Sequence, residues 1–186
     1  MLRDADLAPD RARPLFRREY DRLVELGVFE DQRVELLGGV LVEMSPQGTA
    51  HSSTVTVLAR RLIQQLGEQA EVRVQMPFAA SDISEPEPDV AVVPFQSYAR
   101  AHPSEAYLLV EVCDSSAAKD HGLKARLYAA AGVPEYWVVD VSTQSVTVHN
   151  EPTPDGYRTT RSFGPDARIT PERFADVVIA VGELFE

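Results

Sequence analysis

At 186 residues the chain has the length of one domain, and 44% hydrophobic with 25% charged residues are ordinary globular values. Its single cysteine, Cys113, excludes an internal disulfide framework, and no apolar run approaches the ~20 residues that a membrane span needs. A formal net charge of −11, from 29 acidic against 18 basic side chains, argues against a general affinity for polyanions. Any hold on nucleic acid then needs a local basic patch, metal ions or a partner.

Residues 1–14 are mostly polar and charged, with Pro9 and Pro14, and read as a flexible lead-in to a single domain over 15–186. The N-terminus lacks the apolar core of a signal peptide, so the expectation is a soluble cytoplasmic protein. Leu15, Phe16, Tyr20, Leu23, Val24 and Leu26 recur at near-helical spacing up to Gly27, which predicts a first helix. Two apolar runs, 33–37 and 40–44, flank Gly38-Gly39, a hairpin signal. A second helix is expected over 51–66, with Val55, Leu58, Ala59, Leu62, Ile63 and Leu66 as its apolar face and Gly67 as its stop.

Val72 and Val74 alternate with polar residues in a strand expected over 71–76 and broken by Pro77. An acidic, proline-rich loop over 81–88 leads into strand 89–94, and strand 107–113 follows. Ser115 or Ser116 can cap a helix over 117–131; Gly122 inside it costs roughly 1 kcal/mol against alanine, and Gly132 and Pro134 end it. Strands over 136–140 and 145–149 come next, the latter paired with 157–162 across Pro154-Asp155-Gly156. The run 174–185 reads as a closing strand or a short helix. This order predicts an α/β (α+β) architecture, a mixed central sheet flanked by helices, with a right-handed crossover around the third helix.

Two of the apolar strands carry an acid at one end, Asp89 and Glu111. A carboxylate buried there costs several kcal/mol unless a cation or donors offset it. Hard carboxylate oxygens suit Mg²⁺ or Mn²⁺; salt-bridged structural acids are the plainer alternative. Asp120, Lys124 and Tyr128 recur every four residues and share a helix face. That face either turns Lys124 towards the strand ends or leaves an Asp120–Lys124 surface pair worth about 0.3–0.5 kcal/mol.

EPEPDVAVV, LLVEVCDSS, the D-x3-K-x3-Y helix and AGVPEYWVVD together resemble the Uma-type endonuclease family, within the PD-(D/E)xK, restriction-endonuclease-like superfamily. RVELLGGVLVEMSPQGTAH resembles the family's opening hairpin and the start of its first long helix. The resemblance runs from about Leu15 to Asn150, with the motifs in the family's order. It implies a mixed sheet flanked by helices and metal-dependent phosphodiester hydrolysis. On the matching positions Pro88-Asp89 supplies the PD and Glu111 the D/E, both as metal ligands. Cys113 stands where the signature lysine belongs, and Lys124 on the following helix is the residue that matches its role.

Glu35 matches the family's hairpin acid, as a ligand or water-orienting group, against a strand acid paired with Arg33 or Arg73. His51 either touches a scissile phosphate or caps its helix. Glu87 reads as loop charge, Tyr136 and Trp137 as core, and Cys113 as a small buried residue. The expectation is a Mg²⁺- or Mn²⁺-dependent endonuclease acting on nucleic acid, DNA before RNA, as a homodimer. The alternatives are a catalytically silent nucleic-acid- or protein-binding module on the same fold and, more weakly, hydrolysis of a different phosphoester.

Overall fold

A computed structural model describes residues 12–113 and 120–186, without the side chains of Asp120 and His121. Helix α1 (Arg17–Glu25) is followed by strands β1 (Val34–Leu37) and β2 (Val40–Glu43), helix α2 (Thr49–Leu66), and strands β3 (Glu71–Val74), β4 (Val90–Val93) and β5 (Leu108–Cys113). A π-helical turn, Asp120–Lys124, runs into helix α3 (Ala125–Ala130). Strands β6 (Glu135–Asp140), β7 (Ser145–Thr153), β8 (Gly156–Phe163), β9 (Arg168–Ile169) and β10 (Ile179–Ala180) follow. No helix among the described residues is long and apolar enough to cross a membrane.

β3 to β8 form one six-stranded sheet in sequence order, antiparallel throughout except for the parallel pair β5–β6. A parallel pair needs a crossover, and α3 lies on that connection. β5 is buried along its whole length, which its run of apolar residues allows because helices cover both faces. On one face Val90, Val92, Leu108, Val110 and Trp137 pack with Val55, Leu58 and Leu62 of α2. On the other, Ala91, Leu109, Tyr136 and Val138 pack with Ala125 and Tyr128 of α3. The architecture is the mixed sheet flanked by helices that the sequence predicts. Tyr136 and Trp137 fill opposite cores because successive strand residues alternate faces.

The run expected as a closing strand or a short helix contains both, β10 and a 3₁₀ turn at Gly182–Leu184, and it seals the α2 face with Ile179 and Leu184. The hairpin β1–β2 turns at Gly38 and Gly39, φ +58° and +81°, as a type I′ turn requires. A Cβ on Gly39 would collide with Pro14, and Leu15 N–H donates to the Gly39 carbonyl at 3.0 Å, so residues 14–15 are seated on the hairpin tip. Residues 1–11 of the expected lead-in lie outside the described residues.

Several boundaries differ from expectation, the longest extension being β7, which runs to Thr153 rather than ending at His149. α2 begins at Thr49 rather than His51, because Gly48 takes the extended N-cap conformation. β3 ends at Val74 rather than Met76, because Gln75 turns into the left-handed region at φ +50°. The third helix begins, within the described residues, as the wide turn Asp120–Lys124 that contains Gly122, and becomes α-helical only at Ala125. Its expected cap at Ser115 or Ser116 and its start at Ala117 lie outside the described residues.

Candidate active site

The β4–β5 register sets Val90 opposite Val110 and Ala91 opposite Leu109. Asp89 immediately precedes β4 and Glu111 immediately follows Val110 on β5; Glu111 turns to α3, whereas Asp89 is held by α2, by the end of β3 and by the next residue of β5. At this end of the pair a side chain replaces the backbone ladder, and Val112 N–H donates to Asp89 Oδ2 at 2.8 Å. His51, in the first turn of α2, reaches the same oxygen with Nε2 at 3.0 Å. Gln75 donates its amide to Asp89 Oδ1 at 3.1 Å. Burial pushes the Asp89 carboxyl up. The His51 hydrogen bond and charge, the Val112 N–H and the Gln75 amide outweigh it and hold the group below the ordinary aspartate value.

Glu111 meets α3. Lys124 and Tyr128, four residues apart and so on one helix face, both donate to Glu111 Oε1, Lys124 Nζ at 2.8 Å and the Tyr128 phenol at 2.7 Å. Burial, then the Glu111 charge, hold the Tyr128 phenol well above 10, which keeps it a donor. Lys124 Nζ also lies 3.3 Å from Glu35 Oε2. Strand alternation explains the reach of β1: Val34 and Leu36 pack on Tyr20 of α1, while Glu35 points away from that cluster. Glu35 accepts a further hydrogen bond from the Glu87 N–H at 3.4 Å.

Asp89, Glu111, Lys124 and Glu35 are all interior, each 6% exposed or less; Lys124 joins Glu111 to Glu35, and Asp89 adjoins them through the Val112 N–H, with His51 at the margin. Lys124 is not the surface residue of an Asp120 pair, and the Asp120 side chain lies outside the description. Of the two arginines weighed as partners for Glu35, Arg33 meets Glu87 at 3.3 Å and Arg73 stacks over Tyr98. His51 is not the helix cap, since Gly48 occupies that position. Tyr128 is expected on the Lys124 face without a role, and Gln75 is a site residue that the sequence does not single out.

Among the described residues three buried carboxylates lie near one ammonium and one imidazole, and carboxylate oxygens are the ligand type that suits a hard cation. Among the described residues no group of three or more His, Cys, Asp or Glu converges to cage a metal. Two carboxylates, with water and substrate oxygens completing the shell, are the usual protein share of a Mg²⁺ site, and Asp89 and Glu111 fit that share.

The signature of the family Uma2, "Putative restriction endonuclease", matches residues 17–182. The chain belongs to the Uma2 family. A "putative nuclease" from Anabaena variabilis, solved by crystallography, is similar in fold to this Uma2 chain, with a TM-score of 0.69 at 18% sequence identity. The similarity covers 83% of this chain and 90% of that one. No curated protein matches the chain significantly. The matched residues include every residue of the candidate site, from Glu35 on β1 to Tyr128 on α3.

Proposed function

We propose that the protein is a divalent-metal-dependent endonuclease that hydrolyses phosphodiester bonds in nucleic acid, with DNA as its substrate. The observation that carries this reading is the contact of Lys124 Nζ with Glu111 Oε1 at 2.8 Å, next to an Asp89 whose Oδ2 accepts from the N–H of Val112, the residue after Glu111. Two acids and a lysine meet although the lysine comes from the next helix.

Asp89 and Glu111 are the residues that would hold Mg²⁺ or Mn²⁺. When bound, such an ion supplies an acidified water and neutralises phosphate charge. His51, Gln75 and the Val112 N–H orient the Asp89 carboxylate. Lys124 holds an ammonium where negative charge develops on the attacking or phosphoryl oxygens, and its charge acts strongly there because the site is buried. Glu35 also holds Lys124, with its Oε2 3.3 Å from Nζ. A divalent cation at this point also inverts the local potential of a chain whose net charge is −11. Cutting both strands of a duplex favours a symmetric homodimer, and the cytoplasm is the compartment that a lone cysteine suits.

The test is nicking of supercoiled plasmid, with single-stranded DNA and RNA oligonucleotides in parallel, in Mg²⁺ and in Mn²⁺. Cleavage should vanish with Asp89→Ala or Glu111→Ala and fall sharply with Lys124→Ala. Cleavage that survives all three substitutions contradicts the assignment, and a wild type that binds oligonucleotides without cutting any supports the silent binding module instead.

A further inference from the structure

At the end of β3 the chain enters the left-handed region on a residue with a Cβ: Gln75 has φ +50°. That conformation is costly for most residues and free for glycine, which the same chain uses at Gly27, Gly38, Gly67 and Gly132. Gln144 and Glu151 also take a positive φ, so what singles out Gln75 is a use for its side chain. Two contacts supply the use. The Gln75 backbone N–H donates to the Asp89 carbonyl at 3.1 Å, and its amide Nε2 donates to Asp89 Oδ1, also at 3.1 Å. The other carboxylate oxygen, Oδ2, is tied to β5 through Val112 and to α2 through His51. Each oxygen of Asp89 therefore has its own anchor, and Gln75 is the donor on Oδ1.

We propose that Gln75 is a positioning residue of the metal centre, which fixes the plane of the Asp89 carboxylate before an ion arrives. The proposal rests on the reading of Asp89 as a metal ligand. An Asp89 held only through Oδ2 can rotate about its terminal bond, and an arriving cation must then order it. The left-handed turn aims the amide: in extended backbone the residue after Val74 would continue the β3 ladder, whereas at φ +50° the chain leaves the sheet while its side chain returns to Asp89.

The test is the Mn²⁺ affinity of the full chain, read from free Mn²⁺ by electron paramagnetic resonance, together with the melting temperature of the metal-free protein. Gln75→Met keeps the length and the backbone demand but cannot donate; Gln75→Gly relieves the backbone and also removes the amide. Both should weaken Mn²⁺ binding about 10–100-fold, the usual cost of losing an outer-shell partner. Gln75→Gly should melt within roughly 4 °C of wild type, because relief of the turn offsets the lost hydrogen bond. Wild-type Mn²⁺ affinity in Gln75→Met overturns the positioning role and leaves the metal centre standing. A wild type that binds no Mn²⁺ overturns both.

Discussion

Lys124 Nζ lies 2.8 Å from Glu111 Oε1, so a residue of the crossover helix neutralises an acid of the central strand that precedes it. The same ammonium is 3.3 Å from Glu35, and all three groups are buried. Desolvating such groups is costly, and the cost is offset only while the set is complete. Lys124→Ala leaves two buried carboxylates without their shared cation and should cost about 3–5 kcal/mol in urea unfolding at neutral pH. An unfolding midpoint equal to that of wild type would show that solvent reaches these acids.

Tyr128 makes the second contact on the same oxygen, and its ring packs edge-on against Phe78 and Tyr136. Tyr128→Phe keeps the ring and removes only the donor. A hydrogen bond to a charged acceptor contributes about 1.5–3 kcal/mol, and urea unfolding of Tyr128→Phe should register a loss of that order. With the phenol held well above 10, no step in the pH profile of activity should disappear in the variant.

The pH dependence of stability should carry a mark of Glu85. This side chain is 3% exposed, its Oε2 has no hydrogen-bond partner among the described residues, and the Arg17 guanidinium lies 3.8 Å away. Burial, then the Asp21 charge, push its carboxyl from 4.5 up to about 7. Between those values the folded protein keeps a proton that the unfolded chain has released, so stability falls as pH rises from about 4.5 to 7. The full penalty, on the order of 3 kcal/mol, is present above that window. Asp89 works in the opposite sense: its carboxyl is held low, so its contribution is complete above the ordinary aspartate value and lost as pH falls through the folded one. Thermal melts from pH 4.5 to 8 should show Glu85→Gln gaining on wild type as pH rises; parallel curves would mean that Glu85 titrates normally.

Gly39 joins the hairpin to the start of the described chain. Its φ of +81° already resists a side chain, and a Cβ there would strike Pro14. Gly39→Ala should destabilise the protein by more than about 1 kcal/mol and raise proteolysis ahead of Leu15. An unchanged cleavage pattern would show that the N-terminal segment does not depend on the hairpin tip.

These residues also mark which features are legible in a single sequence. The hairpin is legible because two consecutive glycines between apolar runs admit few other conformations. Asp89 and Glu111 stand out because an acid on a buried apolar strand is a costly choice that needs a reason. Lys124 and Tyr128 are tied together by their four-residue spacing. The pairing of Glu35 with Lys124 is not legible, since β1 and β2 form a sheet of their own, seated through the Leu36–Glu85 backbone pair, a tertiary contact with no local signature. Gln75 escapes for a different reason: the alternation of Val72 and Val74 runs on through it, and a left-handed residue other than glycine leaves no mark in composition. The third helix is only partly legible, because Gly122 signals a weak start without specifying a wide turn.

The measurement that bears most directly on the central claim is anomalous scattering from crystals soaked in Mn²⁺, grown from a preparation that nicks plasmid DNA in the same ion. The account predicts an anomalous peak held by Asp89 and Glu111, lost in crystals of Asp89→Asn. A peak held by other residues, or none in a preparation that cuts DNA, would contradict it.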